Sequence, residues 1–390
     1  MKLGAAFATL LLSGLLACSR TTTPAATRGA NDAGRATSTV AADTAVDTDT
    51  PAHAPRHAVT ITSRKPISIA DAAPAQGPSA AMPSGSIYVS AVLEAASPRD
   101  PSDPGDPTIV EWDIAGERIV AQTSLAPKDP HEHVQVLRLA TTKHRVYVTS
   151  ECWAPGCPVR LTVLNRQLNT LGQKTLPVGS AVSIEATEKY VAVAIAQHQS
   201  KLRPLVVSLF DAASLTPIAT KELATSGGPI SGFVRANALE LAGDRLYVAA
   251  RGRAPVEPER DDEGRMVGST SVFSFDLPAL TLRSTFKSNA AASLEPSLIA
   301  RGKQLLLFAG DEVVELNADL RPFPTLAETS SHVAIAALSS TGQLFAGGTE
   351  AQRGELFPGA RFPCTATWSA DAPLLVCDSD SGLRLARFGK

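Results

Sequence analysis

The residues best equipped for chemistry in this sequence stand in short clusters. His131, Glu132 and His133, inside PKDPHEHV, place two imidazoles and a carboxylate side by side, donor types that hold zinc or a related metal. A metal centre needs a further ligand from elsewhere in the chain. None can be picked out, so a solvated loop is the stronger reading. Asp261 and Asp262, with Glu263 after them, read first as a solvated charge run. Asp378, Asp380 and Gly382 echo the start of a calcium loop, yet the rest of that loop and its closing glutamate are missing, which favours a turn. The sequence contains no GxSxG elbow, no HExxH, no phosphate-cradling glycine loop and no CxxCH. No catalytic residue, metal or cofactor is therefore assigned. His131, Glu132, His133, Asp261 and Asp262 are kept as candidate binding residues on loops.

The 5 cysteines carry a different chemistry. Apart from Cys18 they fall into two local pairs, the pattern of a chain that folds in an oxidising compartment. Cys152 and Cys157 bracket WAPG. Cys364 and Cys377 bracket a hairpin that turns near Ala370 and Asp371, which sets them opposite each other on antiparallel strands. On the chain-entropy model the short bridge contributes about 2 kcal/mol and the longer one about 3 kcal/mol.

Cys18 belongs to another pattern. Met1 and Lys2 are followed by an uncharged apolar run, Leu3 to Leu16, and LLAC ends at the cysteine. The run is too short to cross a bilayer as a helix, which takes about 20 residues. The segment resembles the lipobox of bacterial lipoproteins. That resemblance implies a signal peptide over 1–17, acylation of Cys18 and a membrane anchor, and Ser19 in place of aspartate points to the outer membrane, facing the periplasm or the cell surface. A plain secretory peptide cut near Ala17 is the alternative.

Composition narrows the partners. A net charge of -2 with 19% charged residues leaves no field that would gather nucleic acid, and 5% aromatic content argues against a large aromatic binding surface. From 18 to 84 the chain is rich in Ala, Thr, Ser, Pro and Gly, with little to bury, as expected of a flexible linker. Within it, HAVTITSRKPISI alternates like a short strand.

From 85 to 390 short β-prone runs alternate with Gly, Pro, Asp and Asn, and no helical period persists. One run recurs as GSIYVSAV, HRVYVTSE, EKYVAVAI, GDRLYVAA, GKQLLLFA, GQLFAGG and APLLVCD. A second follows the earlier ones and reaches Asp113, Asn165, Asp211, Asp276 or Asn317 before turning, as in VVSLFDAASL and VFSFDLPALTL. Asp or Asn accepts a hydrogen bond from the backbone two residues on, so each marks a hairpin corner. With a preceding strand such as VQVLRLA or ANALELA, each unit makes four antiparallel strands at the period of propeller blades.

Tyr147, Val148, Thr149 and Ser150, with Tyr88 and Tyr247 each followed by Val, resemble degenerate YVTN-type repeats. The resemblance implies an all-β fold: a single β-propeller of seven four-stranded blades behind a signal peptide and a disordered linker. The last unit supplies too few strands, so residues 57–69 are expected to return as the closing outer strand; a ring of six and a fraction blades is the alternative. The long insertions at Glu94 to Pro107, Gln197 to Pro204 and Arg251 to Gly268 join equivalent strands and should share one face with the Cys152 loop. The expected function is binding or scaffolding by a monomer, through that face, of a protein, peptide or glycan. A lactonase, hydrolase or quinoprotein with its site in the central channel is the second class.

Overall fold

The computed structural model describes residues 67–68, 79–81, 86–92, 107–113, 118–125, 134–152, 156–197, 205–225, 228–229, 237–251, 270–288, 297–301, 304–309, 312–323, 335–338, 344–347, 360–369, 372–379 and 384–387. Among these residues the structure is all-β, and every strand pairing is antiparallel.

The strands follow the repeat. β1 is Ile67–Ser68, and β2 (Ser79–Ala81), β3 (Ser86–Val92), β4 (Pro107–Asp113) and β5 (Arg118–Ser124) form an up-and-down sheet. β6 (Val134–Thr141), β7 (Arg145–Cys152) and β8 (Pro158–Asn165) make the next with the first half of β9 (Thr170–Ala186). The second half of β9 opens the following sheet with β10 (Tyr190–Gln197), β11 (Leu205–Asp211) and β12 (Pro217–Glu222). A short ribbon, β13 (Ala224–Thr225) and β14 (Gly228–Pro229), leads to β15 (Asn237–Ala242), β16 (Arg245–Arg251), β17 (Thr270–Asp276) and β18 (Thr281–Lys287). β19 (Ser297–Arg301), β20 (Gln304–Ala309) and β21 (Glu312–Asn317) form a sheet, as do β22 (Ile335–Leu338) and β23 (Leu344–Gly347). The last sheet is β24 (Ala360–Ser369), β25 (Ala372–Ser379), β26 (Arg384–Arg387) and, outermost, β1, with Ile67 opposite Leu385 and Ser68 opposite Arg384.

The first strands touch in a closed circuit: β2 meets β6, then β9, β15, β19, β22 and β24 follow in turn, and β24 returns to β2. Sheets arranged in such a ring make a β-propeller. The burial pattern has the same origin. Strand side chains alternate between two faces, and in a ring each face meets a neighbouring sheet, so inner strands are apolar on both sides. Val146 and Val148 pack into the seam with the sheet before, beside Tyr88 and Ile109, while Tyr147 between them packs into the seam after, beside Phe210. Likewise Leu246 and Val248 serve one seam and Tyr247 and Ala249 the next. The fourth strands have solvent on their outer edge and alternate or stay exposed, as β5 and β12 do.

β9 runs through from one sheet to the next without a loop. Gly179 sits at the crossing, opposite Gln197, where an added Cβ would stand 2.4 Å from the Ala196 carbonyl oxygen and 2.7 Å from Ile195 Cγ2. Only a residue without a side chain lets the two backbones approach that closely.

Candidate functional site

Antiparallel order puts the β6–β7, β9–β10 and β15–β16 turns and the Asp/Asn corners on one edge of the ring. The second strands end, and the third strands begin, at the other edge. The corner edge is built from a repeated device. Asn165 Oδ1 accepts from the Asn169 amide at 2.8 Å, Asp211 Oδ1 from the Ala213 and Ser214 amides at 3.1 and 2.8 Å, and Asn317 Oδ1 from the Asp319 and Arg321 amides at 2.9 and 3.0 Å. The Ser214 hydroxyl, 2.8 Å away, and its amide hold the Asp211 carboxyl below its ordinary range.

After each of these polar residues, and after Asp276, comes a leucine in left-handed conformation: Leu168 (φ 59°), Leu215 (φ 56°), Leu280 (φ 52°) and Leu320 (φ 60°). That region costs an L-residue about 1–2 kcal/mol. Burial offsets it, since all four side chains are 1–6% exposed and each fills the seam towards the preceding sheet.

Second strands then clasp the next corner. Arg145 Nη1 and the Tyr147 hydroxyl both donate to the Ala212 carbonyl, the hydroxyl at 3.1 Å; Arg245 Nη1 and the Tyr247 hydroxyl do the same to Ala318, the hydroxyl at 3.3 Å. Arg245 also meets Asp319 at 3.0 Å. In the first sheet Tyr88 takes the equivalent place beside Arg166, and burial, with Glu111 alongside, pushes its phenol up to about 12. This edge is committed to holding the ring together.

The first strands also carry charged residues. Arg138 of β6 donates to the carbonyls of Leu137 at 2.6 Å and Val182 at 2.7 Å, bridging to β9. The Ser180 hydroxyl donates to Glu151 at 3.0 Å, again between sheets. Glu185 of β9 and Glu240 of β15 stand on neighbouring first strands, each half-buried. Burial and the Glu240 charge raise Glu185 well above the carboxylate range, and burial pushes Glu240 up to about 7, countered by a hydrogen bond from the Ala300 amide.

No protein-family model matches the chain, and no curated protein does. Among solved structures, the Dos1 propeller is similar at 11% identity with a TM-score of 0.46, over 78% of this chain and 76% of that one. The β-propeller domain of the Trilobed protease from Pyrococcus furiosus, described as having an open velcro topology, is similar at 11% identity and 0.49, over 85% of this chain and 95% of that one.

Of the residues expected to matter, Cys18, His131, Glu132, His133, Asp261 and Asp262 lie outside the described residues. Cys152 and Cys157 are joined by a disulfide with Cα atoms 5.7 Å apart. Cys364 and Cys377 occupy directly opposed register positions on β24 and β25. Among the described residues no three or more His, Cys, Asp or Glu converge as metal ligands. The clasps were not anticipated. The recurring R-x-Y of Arg145/Tyr147 and Arg245/Tyr247 is the signal that marks them.

Proposed function

We propose that this chain is a bacterial envelope lipoprotein, anchored to the outer membrane through Cys18 and facing the periplasm or the cell surface. Its seven-bladed propeller, closed by β1 from the linker, acts as a monomeric binding or scaffolding module. The loop edge takes a protein, peptide or glycan, and nucleic acid is not a partner. The first-strand circuit β2, β6, β9, β15, β19, β22 and β24 supports the seven-blade count, with β9 shared between two consecutive blades.

The contrast between the two edges carries this reading. Among the described residues, the Ala212 and Ala318 corners on one edge are each held by an arginine and a tyrosine of the preceding sheet. The connections on the other, residues 93–106, 153–157, 198–204 and 252–269, differ widely in length while joining equivalent strands. Variable loops on a rigid frame are how binding proteins present specificity.

Two experiments test it. In a Cys18→Ser chain, membrane partition and palmitate incorporation should both be lost; unchanged partition overturns the anchor. Replacing 252–269 and 198–204 with short Gly/Ser turns should leave unfolding unchanged and abolish specific cross-links to envelope components. Cross-links that survive both replacements overturn the loop-edge assignment.

A further inference from the structure

The outer strands β5, β12 and β18, and the first half of β9, are irregular in the same place. Register shifts just before the corner: between Glu111 and Trp112, Leu209 and Phe210, Ser274 and Phe275, and Val163 and Leu164. The extra residues are Val120, Ile218, Arg283 and Leu171, and the three apolar ones are 39–55% exposed. A bulge leaves one residue unpaired and bends the strand, so a further strand cannot dock in register. Beyond β21 a proline serves the same end, since Leu316 bridges Pro322, which has no N–H to give.

The last sheet differs. β25 and β26 pair without a shift from Leu374↔Arg387 to Cys377↔Arg384. Among the described residues β26 is covered on its outer side by β1 alone, whose two residues meet Leu385 and Arg384, and no strand stands opposite Ala386 and Arg387 there. The sequence works against a longer pairing. Extending the β1 register would set Pro66 opposite Ala386 and Lys65 opposite Arg387. Proline cannot donate to the ladder, and lysine against arginine is a destabilising like-charge pair. A strand this short fixes nearly as much backbone as it hydrogen-bonds, so its net hold on β26 is weak.

We propose that the outer edge of β26 accepts an extended acidic peptide, a strand of a partner protein that displaces β1 and adds to the last sheet. Charge selects the occupant. An incoming antiparallel strand with acidic residues three apart sets one against Arg384 and the other against Arg387, where β1 offers Ser68 and its extension offers Lys65. A second copy of β26 is a poor occupant, because two such strands paired from Arg384 to Arg387 would oppose arginine to arginine at both ends. The β26 edge is separate from the loop edge and works whether or not the loops bind.

The test titrates the full-length chain into labelled synthetic peptides, TVEIVEVT and TVKIVKVT, and follows fluorescence anisotropy. The acidic peptide should bind and the basic one should not. In Ile67→Pro/Ser68→Pro, which removes both β1 donors, TVEIVEVT should bind about threefold tighter or more, because its competitor is gone. Arg384→Glu/Arg387→Glu should weaken TVEIVEVT by about tenfold or more and bring in TVKIVKVT. Should a double variant fail to fold, hydrogen exchange in the unaltered chain still decides: TVEIVEVT should slow the amides of β26 and release those of Ile67 and Ser68. Equal binding of both peptides, affinities that ignore both variants, exchange in β26 unmoved by the peptide, or no binding at all overturns the site. Sedimentation of the β1 variant as a dimer would overturn the acidic occupant in favour of a second copy.

Discussion

The Tyr147 hydroxyl reaches across a seam to the Ala212 carbonyl oxygen at 3.1 Å, and the same oxygen receives Arg145. One acceptor thus ties a second strand to the corner of the following sheet. A buried neutral hydrogen bond contributes about 1 kcal/mol and one to a charged donor about 1.5–3 kcal/mol. Tyr147→Phe should therefore lower stability by about 1 kcal/mol, and Arg145→Ala by more. Because both share one acceptor, the double variant should deviate from the sum of the singles; strict additivity in urea unfolding would show that the two donors act separately.

The corner leucines make a sharper test. Truncating Leu215 to Ala removes a buried side chain, a loss of about 2–5 kcal/mol. Truncating it to Gly removes the same side chain but also relieves the left-handed backbone at φ 56°. The usual order is then reversed, with Gly more stable than Ala by about 1 kcal/mol. Equilibrium unfolding of the two variants side by side decides this, and an Ala variant that outlasts the Gly variant would rule out strain at the corner.

Recognising corners in VVSLFDAASL and VFSFDLPALTL requires no coordinates, because an Asp followed by small and polar residues has few other local solutions. The alternation of Val, Tyr and Val in the second strands likewise announces strands buried on both faces. The backbone conformation of Leu215 is not visible that way: nothing in a leucine favours positive φ, and only the seam it fills explains it. The Arg145 and Tyr147 clasp spans 67 and 65 residues, so it depends on how neighbouring sheets are set against each other. β9 escaped notice for a simpler reason, since a Pro177–Gly179 stretch reads as a turn when taken locally.

Gly179 and Gly172 lie on the same strand and predict opposite outcomes. Gly179→Ala puts a methyl into the Ala196 backbone and should destabilise by about 1–3 kcal/mol or more. Gly172→Ala meets nothing within 4 Å and should be neutral or slightly stabilising. Thermal denaturation of both variants checks the pair; similar losses for the two would argue against the close approach at the crossing.

Alkaline titration probes the seams through their phenols. Burial raises Tyr88, to about 12, and also Tyr147 and Tyr247. The unfolded chain releases these protons first, so stability contributed by the buried phenols is present below the ordinary tyrosine range and falls as pH climbs towards about 12. Tyrosinate absorbance of the native protein should lag behind that of the urea-unfolded protein, and Tyr88→Phe should remove the slowest component. Coincident curves would place these hydroxyls in water.

The uninterrupted run of β9 has a mechanical meaning. Where other neighbours in the ring are linked by a separate stretch of chain, these two are cut from one continuous ribbon, which removes the joint about which one could swing relative to the other. They should open together or not at all, exchanging their amide hydrogens as one cooperative block while the rest of the circle breathes in smaller pieces.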